Sequence, residues 1–260
     1  MSELVYLYGF VPPDTHVPGP DLVGLADASV SLRPLDDFHA VVSTVDANVF
    51  SAAAIEQRME DLNWVAAQGA AHERVVAWFV DRAQILPASL FTLYSSEAAL
   101  AASARERGSR IRSELERLRG LREWNLKVSC RPAMLAEHAG THSDVLAQLD
   151  RELEAASPGR RYLMQKKRAD VLKQEVFRVA RQLAAEVLDS VRDFAQSVVV
   201  LPLPQAGQDL PVVLHAALLV ELTREQPLVQ ELSDAAARLQ SEGVDVSFSG
   251  PWAPYRFVEP

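Results

Sequence analysis

The chain has 260 residues, with 26 basic against 35 acidic side chains and a formal net charge of −9. Apolar residues make up 48% and charged residues 23%, a globular balance that excludes wholesale disorder. An acidic chain also lacks the cationic surplus that drives non-specific nucleic-acid binding, so no nucleic-acid partner is expected.

At roughly 100 to 200 residues per domain, the length fits one large domain or two ordinary ones. The single cysteine, Cys130, cannot close an intramolecular disulfide and has no Cys/His cluster around it, so it reads as a buried thiol. The start, Met1-Ser2-Glu3, is acidic and unlike a secretory signal. No apolar run reaches the roughly 20 residues that a membrane span needs. The expected location is the cytoplasm, with no membrane span.

In chain order, Leu4–Val11 is apolar and aromatic and suits a strand buried on both faces. Short strands are expected near residues 29–32 and 39–45, separated by the turn residues Arg33-Pro34-Leu35-Asp36-Asp37. From Ser51 the spacing of Ile55, Met59, Leu62, Ala66, Gly69, Val76 and Val80 lays an apolar stripe along one long helix, ending near Arg82. Ile85–Tyr94 reads as extended and largely buried, and its Pro87 favours an edge strand or a bulge. A second helix opens at Ser95 or Ser96 and closes at Gly120. These elements form a first unit of order βββαβα.

The second unit begins with Glu123–Cys130, which alternates polar and apolar residues. A helical region starts near Thr141, is broken at Ser157-Pro158-Gly159, and resumes with a stripe from Leu172 to Val191. Two strands follow, at 197–203 and 212–222, joined by a turn over 205–209. A helix begins around Pro227, and a last strand covers 244–249. The order βαββαβ is that of a ferredoxin-like domain. The fold class is therefore α+β with two domains, 1–120 and 121–249, and a C-terminal tail over 250–260.

The chain carries no phosphate-binding loop, dinucleotide fingerprint, nucleophile elbow or zincin helix. His138 and His142 have a ligand-like spacing, but Gly140 lies between them and loop histidines are the better reading. His72 reads as a satisfied core histidine. The run Lys166-Lys167-Arg168, with Arg160 and Arg161, reads as a solvated helix face in preference to a docking site. No enzyme, metal or cofactor is indicated. The tail Gly250–Val258 packs three aromatics and two prolines into nine positions, so it should dock, covering the protein's own core or a domain interface in preference to shaping a contact surface for a partner.

At these residues the chain resembles the gas vesicle protein F/L family. Gly250-Pro251-Trp252-Ala253-Pro254-Tyr255-Arg256-Phe257 is similar to its closing G-P-W-P-P-Y-x-F signature, with Ala253 at a usual proline. The opening strand with Tyr6 and Tyr8 also resembles the family pattern. So do His72 with Val75 and Val76, the Leu86-Pro87 pair, the element Glu123-Trp124-Asn125-Leu126-Lys127-Val128, and Gly159–Leu163 with Tyr162, followed by Lys166 and Lys167.

Two departures stand out. The family's Leu-Arg-Phe-Gly-Thr after Leu-Pro is here Ala88-Ser89-Leu90-Phe91-Thr92, which lacks the arginine, and L-V-D-R is here Leu219-Val220-Glu221-Leu222. Either an F-type or an L-type member fits. The resemblance implies a minor accessory protein of gas vesicles with two α+β domains, the second a modified ferredoxin-like fold. It implies no catalysis and no cofactor. Its expected partners are the small hydrophobic shell subunit, whose assembly it would assist, and other accessory gas vesicle proteins. The contact is expected on the first domain, around Leu4–Val11 and Ile85–Tyr94. The alternative from the fold alone is a ferredoxin-like module that senses a small molecule.

Overall fold

Glu3–Val11 forms the first strand, β1, and from Val5 onward every residue is buried, as its unbroken apolar character requires. The computed structural model describes residues 3–204 and 210–258. The chain divides into two compact units, one reaching to Glu123 and including the C-terminal segment from Pro251, the other covering Trp124–Gly250.

In the first unit β1 is flanked by β3 (Phe38–Asp46), which pairs in turn with the edge strand β2 (Ser31–Leu35). The sheet is antiparallel, and its β1–β3 register shifts between Leu7 and Gly9. The 47–82 region is three helices: α1 (Ala47–Phe50), α2 (Ala52–Arg58) and α3 (Leu62–Arg82). Asp61 starts α3 by accepting from the backbone N–H groups of Asn63 and Trp64, both at 3.1 Å.

That cap corrects the single long stripe read from the sequence. The helical phase restarts at Asp61, so Met59 and Leu62 are exposed, while Ala71, His72, Val75, Val76, Phe79 and Val80 form the buried face of α3. On the other side of β1 lie two two-residue strands, β4 (Leu86–Pro87) and β5 (Leu93–Tyr94). Gly9 lets β4 approach closely, since a Cβ there would lie 2.4 Å from the Leu86 carbonyl oxygen. The second long helix is likewise split, into α4 (Glu97–Glu106), capped by Ser96, and α5 (Gly108–Arg117).

Strand β6 (Leu121–Cys130) starts in the first unit and continues from Trp124 into the second, where α6 (Pro132–His138), α7 (Asp144–Glu154) and α8 (Pro158–Arg192) follow. The helical region expected from near Thr141 is α7, and its cap is Ser143, whose hydroxyl accepts from the Leu146 N–H at 3.2 Å. After α8 come β7 (Ala195–Val200), β8 (Val212–Glu221), α9 (Glu225–Gln240) and β9 (Val244–Trp252). The strands lie in the order β7-β8-β6-β9. Strand β9 runs three residues beyond the expected end and takes in Gly250-Pro251-Trp252. The turn expected over 205–209 lies outside the described residues. The core of this unit is aliphatic, built from Leu126, Val128, Val179, Leu183, Val187, Leu218, Leu232 and their neighbours.

Candidate functional site

Two groups of side chains in the first unit are candidates for function: a buried polar cluster behind the tail, and an apolar groove beside it. On β1, Tyr6 and Tyr8 are two residues apart, so they share a face, and their rings lie 4.8 Å apart against α3. Both are fully buried. The Tyr6 hydroxyl lies 2.7 Å from His72 Nδ1 and accepts from the Phe91 N–H at 3.2 Å. The Tyr8 hydroxyl donates to Ser43 Oγ at 3.0 Å and accepts from the Leu25 N–H at 2.9 Å. Gly24 leaves room for it, because a Cβ there would sit 1.8 Å from that hydroxyl.

Burial pushes both tyrosines above their usual pKa and pushes His72 down to about 4, an effect the Ala88 backbone partly opposes. His72 is therefore neutral at pH 7. Each of these groups is spent on a hydrogen bond that holds the fold.

The tail closes over this cluster. Ala253 and Pro254 are buried, and Ala253 joins the same core as Tyr6, Tyr8 and Phe79. The Tyr255 hydroxyl donates to Glu73 Oε2 at 3.1 Å, and its ring lies 6.4 Å from that of His72. The Arg256 N–H donates to Glu123 Oε2 at 3.0 Å while its guanidinium pairs with Glu123 Oε1; Glu123 itself is 0% exposed. Arg117, held on Glu114 through two hydrogen bonds, also donates to the Phe257 carbonyl. Burial raises the Glu73 pKa, the Tyr255 bond lowers it, and the charge of Glu123 adds to the rise.

The groove is lined by Leu4, Phe50, Ile55, Met59, Phe91 and Leu93 and has a volume of about 640 Å³. Phe91 has φ +63, a left-handed backbone that a phenylalanine rarely adopts. Its ring stacks on Trp64, with centroids 5.5 Å apart and planes 10° apart, which offsets the backbone cost. Leu86 and Pro87 are buried beside β1.

The remaining sequence-derived positions lie in the second unit or at the start of the tail. Trp124 is buried and donates through Nε1 to Glu225 Oε1 at 3.1 Å. Lys127 is half-buried on β6, where its carbonyl accepts from the Ser247 hydroxyl at 3.2 Å. Tyr162 and Lys166 are exposed on α8, and Gly250, Pro251 and Trp252 are half-buried on β9. The structure thus gathers Tyr6, Tyr8 and Tyr255, with Phe91 donating to Tyr6, and leaves the rest apart. Sequence reasoning did not single out Glu73, Ser43 or Trp64; for Glu73 the available signal was an acidic residue directly beside the buried His72. His142, read as a loop histidine, pairs with Glu242.

Two antiparallel sheets, each packed with helices, define a mixed α+β protein. The fold is that of two solved structures: the gas vesicle protein GvpF from Anabaena (TM-score 0.73, 16% identity, covering 100% of this chain and 99% of that one) and GvpF from Microcystis aeruginosa (TM-score 0.67, 16% identity, 100% of both). The family model for the gas vesicle synthesis protein GvpL/GvpF matches residues 4–259. Gas vesicle protein L of a Streptomyces strain is 30% identical over 99% of this chain and 93% of its own length. Gas vesicle protein L2 of Halobacterium salinarum is 27% identical over 99% and 92%. The chain belongs to the GvpL/GvpF family of gas vesicle accessory proteins.

Among the described residues no helix is long and apolar enough to cross a membrane, and no cluster of His, Cys, Asp and Glu is placed to hold a metal ion.

Proposed function

We propose that this protein binds the small hydrophobic shell subunit of the gas vesicle and assists its assembly by covering apolar surface that would otherwise aggregate. It would act in the cytoplasm at the growing vesicle, alongside other accessory gas vesicle proteins. The first unit carries the contact, and the second, read as a modified ferredoxin-like domain from its strand order, serves as the scaffold.

The observation that carries the reading is the groove. Leu4, Phe91, Leu93 and Tyr94 come from the two segments expected to make the contact, and they meet Phe50, Ile55 and Met59 in one apolar channel. Met59 is 49% exposed, and an apolar side chain held open at a groove is what a hydrophobic partner would cover. The strained backbone of Phe91 at the same place supports it, because such strain concentrates at binding sites. By contrast Tyr6, Tyr8, Leu86 and Pro87 are buried and act by shaping the groove's support.

The test uses the full chain, since residues 1–120 alone would lack the tail that completes the first unit. Co-expressed with the shell subunit, the parent should retain it on affinity purification. The double variant Ile55→Glu, Met59→Glu should release most of it with its melting temperature little changed. Retention of the subunit by a folded double variant would refute the placement, and failure of the parent to retain it would refute the function.

A further inference from the structure

The first half of α8 is an arm without a core of its own. The helix has 35 residues, which at 1.5 Å per residue is about 52 Å, against about 30 Å for the diameter of a small domain. Its buried face is continuous only from Val176 onward. Between Pro158 and Asp170 only Met164 is buried, and α7 braces the arm through the pairing of Arg168 with Asp150.

The side of the arm turned away from that brace is unusual in two respects. Tyr162 and Leu163 are 72% and 67% exposed. One turn further on stand Lys166 and Lys167, with Arg160 less than a turn before; Arg161 turns to the brace instead, where it donates to the Glu154 and Ala156 carbonyls at 3.4 and 3.5 Å. None of Arg160, Lys166 and Lys167 makes an ion pair among the described residues, and no acidic residue occurs between Pro158 and Arg168. Neighbouring charges elsewhere on α8 do pair, as in Lys173–Asp170 and Arg178–Glu175. Because i and i+4 lie on one face, Tyr162 precedes Lys166 and Leu163 precedes Lys167 in two adjacent rows. A rigid helix therefore presents an apolar pair followed by a cationic pair, on a molecule whose net charge is −9.

We propose that this face of α8 docks an acidic amphipathic helix of a protein partner, one presenting an apolar pair and, a turn away, a pair of carboxylates. Charge complementarity selects that occupant. Two copies of the arm meeting face to face would set like charges against each other. An anionic membrane would repel the acidic remainder of the chain, and two apolar side chains are too few to anchor a helix in an interface. The proposal is independent of the groove, which lies on the other unit.

The test measures binding of the full chain to a fluorescent helix-forming peptide with adjacent leucines followed one turn later by adjacent glutamates. Controls are the same peptide with lysines for the glutamates, polyglutamate, and vesicles of equal parts phosphatidylcholine and phosphatidylglycerol. The acidic amphipathic peptide should bind, with affinity falling between about 50 and about 300 mM salt. Lys166→Glu with Lys167→Glu should weaken it at least about tenfold, and Tyr162→Ala with Leu163→Ala about threefold or more, with melting curves unchanged because all four side chains are exposed. Lys166→Gln with Lys167→Gln gives an intermediate loss if charge is the cause. The proposal is overturned by equal binding of polyglutamate or the basic peptide, by binding to the vesicles alone, by self-association through the arm, or by no peptide binding at all.

Discussion

The two units solve the burial of their sheets differently. The second fills its interior with aliphatic side chains; among the described residues Ser143 is its one wholly buried polar side chain, with Asn125 Oδ1 and Asp245 Oδ2 also shut off from solvent. The first buries Ser43, His72, Glu114 and Glu123 together with the hydroxyls of Tyr6 and Tyr8. An aliphatic core loses stability smoothly as methylenes are removed, whereas a buried polar group is stable only while its partner is present. The first unit therefore depends on a tail that arrives more than a hundred residues later, and on pH.

Removing the tail's charge should have the largest effect. Arg256→Ala leaves the wholly buried Glu123 carboxylate without its guanidinium, a loss of about 3 kcal/mol. Hydrogen exchange should show amides of β1, β3 and α3 losing protection while those of β8 and α9 keep theirs. If both units lose protection together, the contrast between them fails.

Next comes acid. The folded pKa of His72 is about 4 against about 6.5 in the unfolded chain, so the unfolded state binds more protons between those values. Stability is then full above pH 6.5 and falls as the pH drops toward 4, by about 3 kcal/mol in the limit. Glu73 works the other way: its raised pKa costs stability above the usual carboxylate range, and acidification relieves that cost. Denaturant midpoints measured across this range should show a net loss on acidification in the parent and a flatter profile in His72→Gln. A His72→Gln profile as steep as the parent's would remove the histidine from the account.

The smallest effect concerns the groove. Phe91→Ala keeps the left-handed backbone and loses the ring stacked on Trp64, while Phe91→Gly loses the same ring but relieves the backbone. Glycine should be the milder substitution by about 1 kcal/mol in urea unfolding. If alanine is as mild as glycine, the backbone at Phe91 stores no strain.

What could be read from the residues alone follows the range of each interaction. The strand at Leu4–Val11 and the stop at Gly120, which has φ +69, were legible because apolar period and capping chemistry act within a few residues, whereas Pro158-Gly159, read as part of a break, form the first turn of α8. The break at Asp61 was missed, although the cap is local, because Ile55, Met59 and Leu62 continue an apolar stripe across it. The tail was legible as a segment that docks, since prolines and aromatics mark that composition. Phe91 was legible as a candidate contact residue, but its left-handed backbone was not, because nothing in the local sequence marks a phenylalanine for that conformation.

The sequence by itself determined that the chain is an acidic α+β protein whose C-terminal segment must be covered, because composition, period and side-chain chemistry are properties of neighbouring residues. Only the tertiary structure decided that Tyr255 meets Glu73 and Arg256 meets Glu123, 182 and 133 residues away, and that Met59 opens onto a groove. Those pairings depend on how strands and helices close in space, and a linear order of residues carries no record of which distant partners the folding of a core will bring to hydrogen-bonding distance.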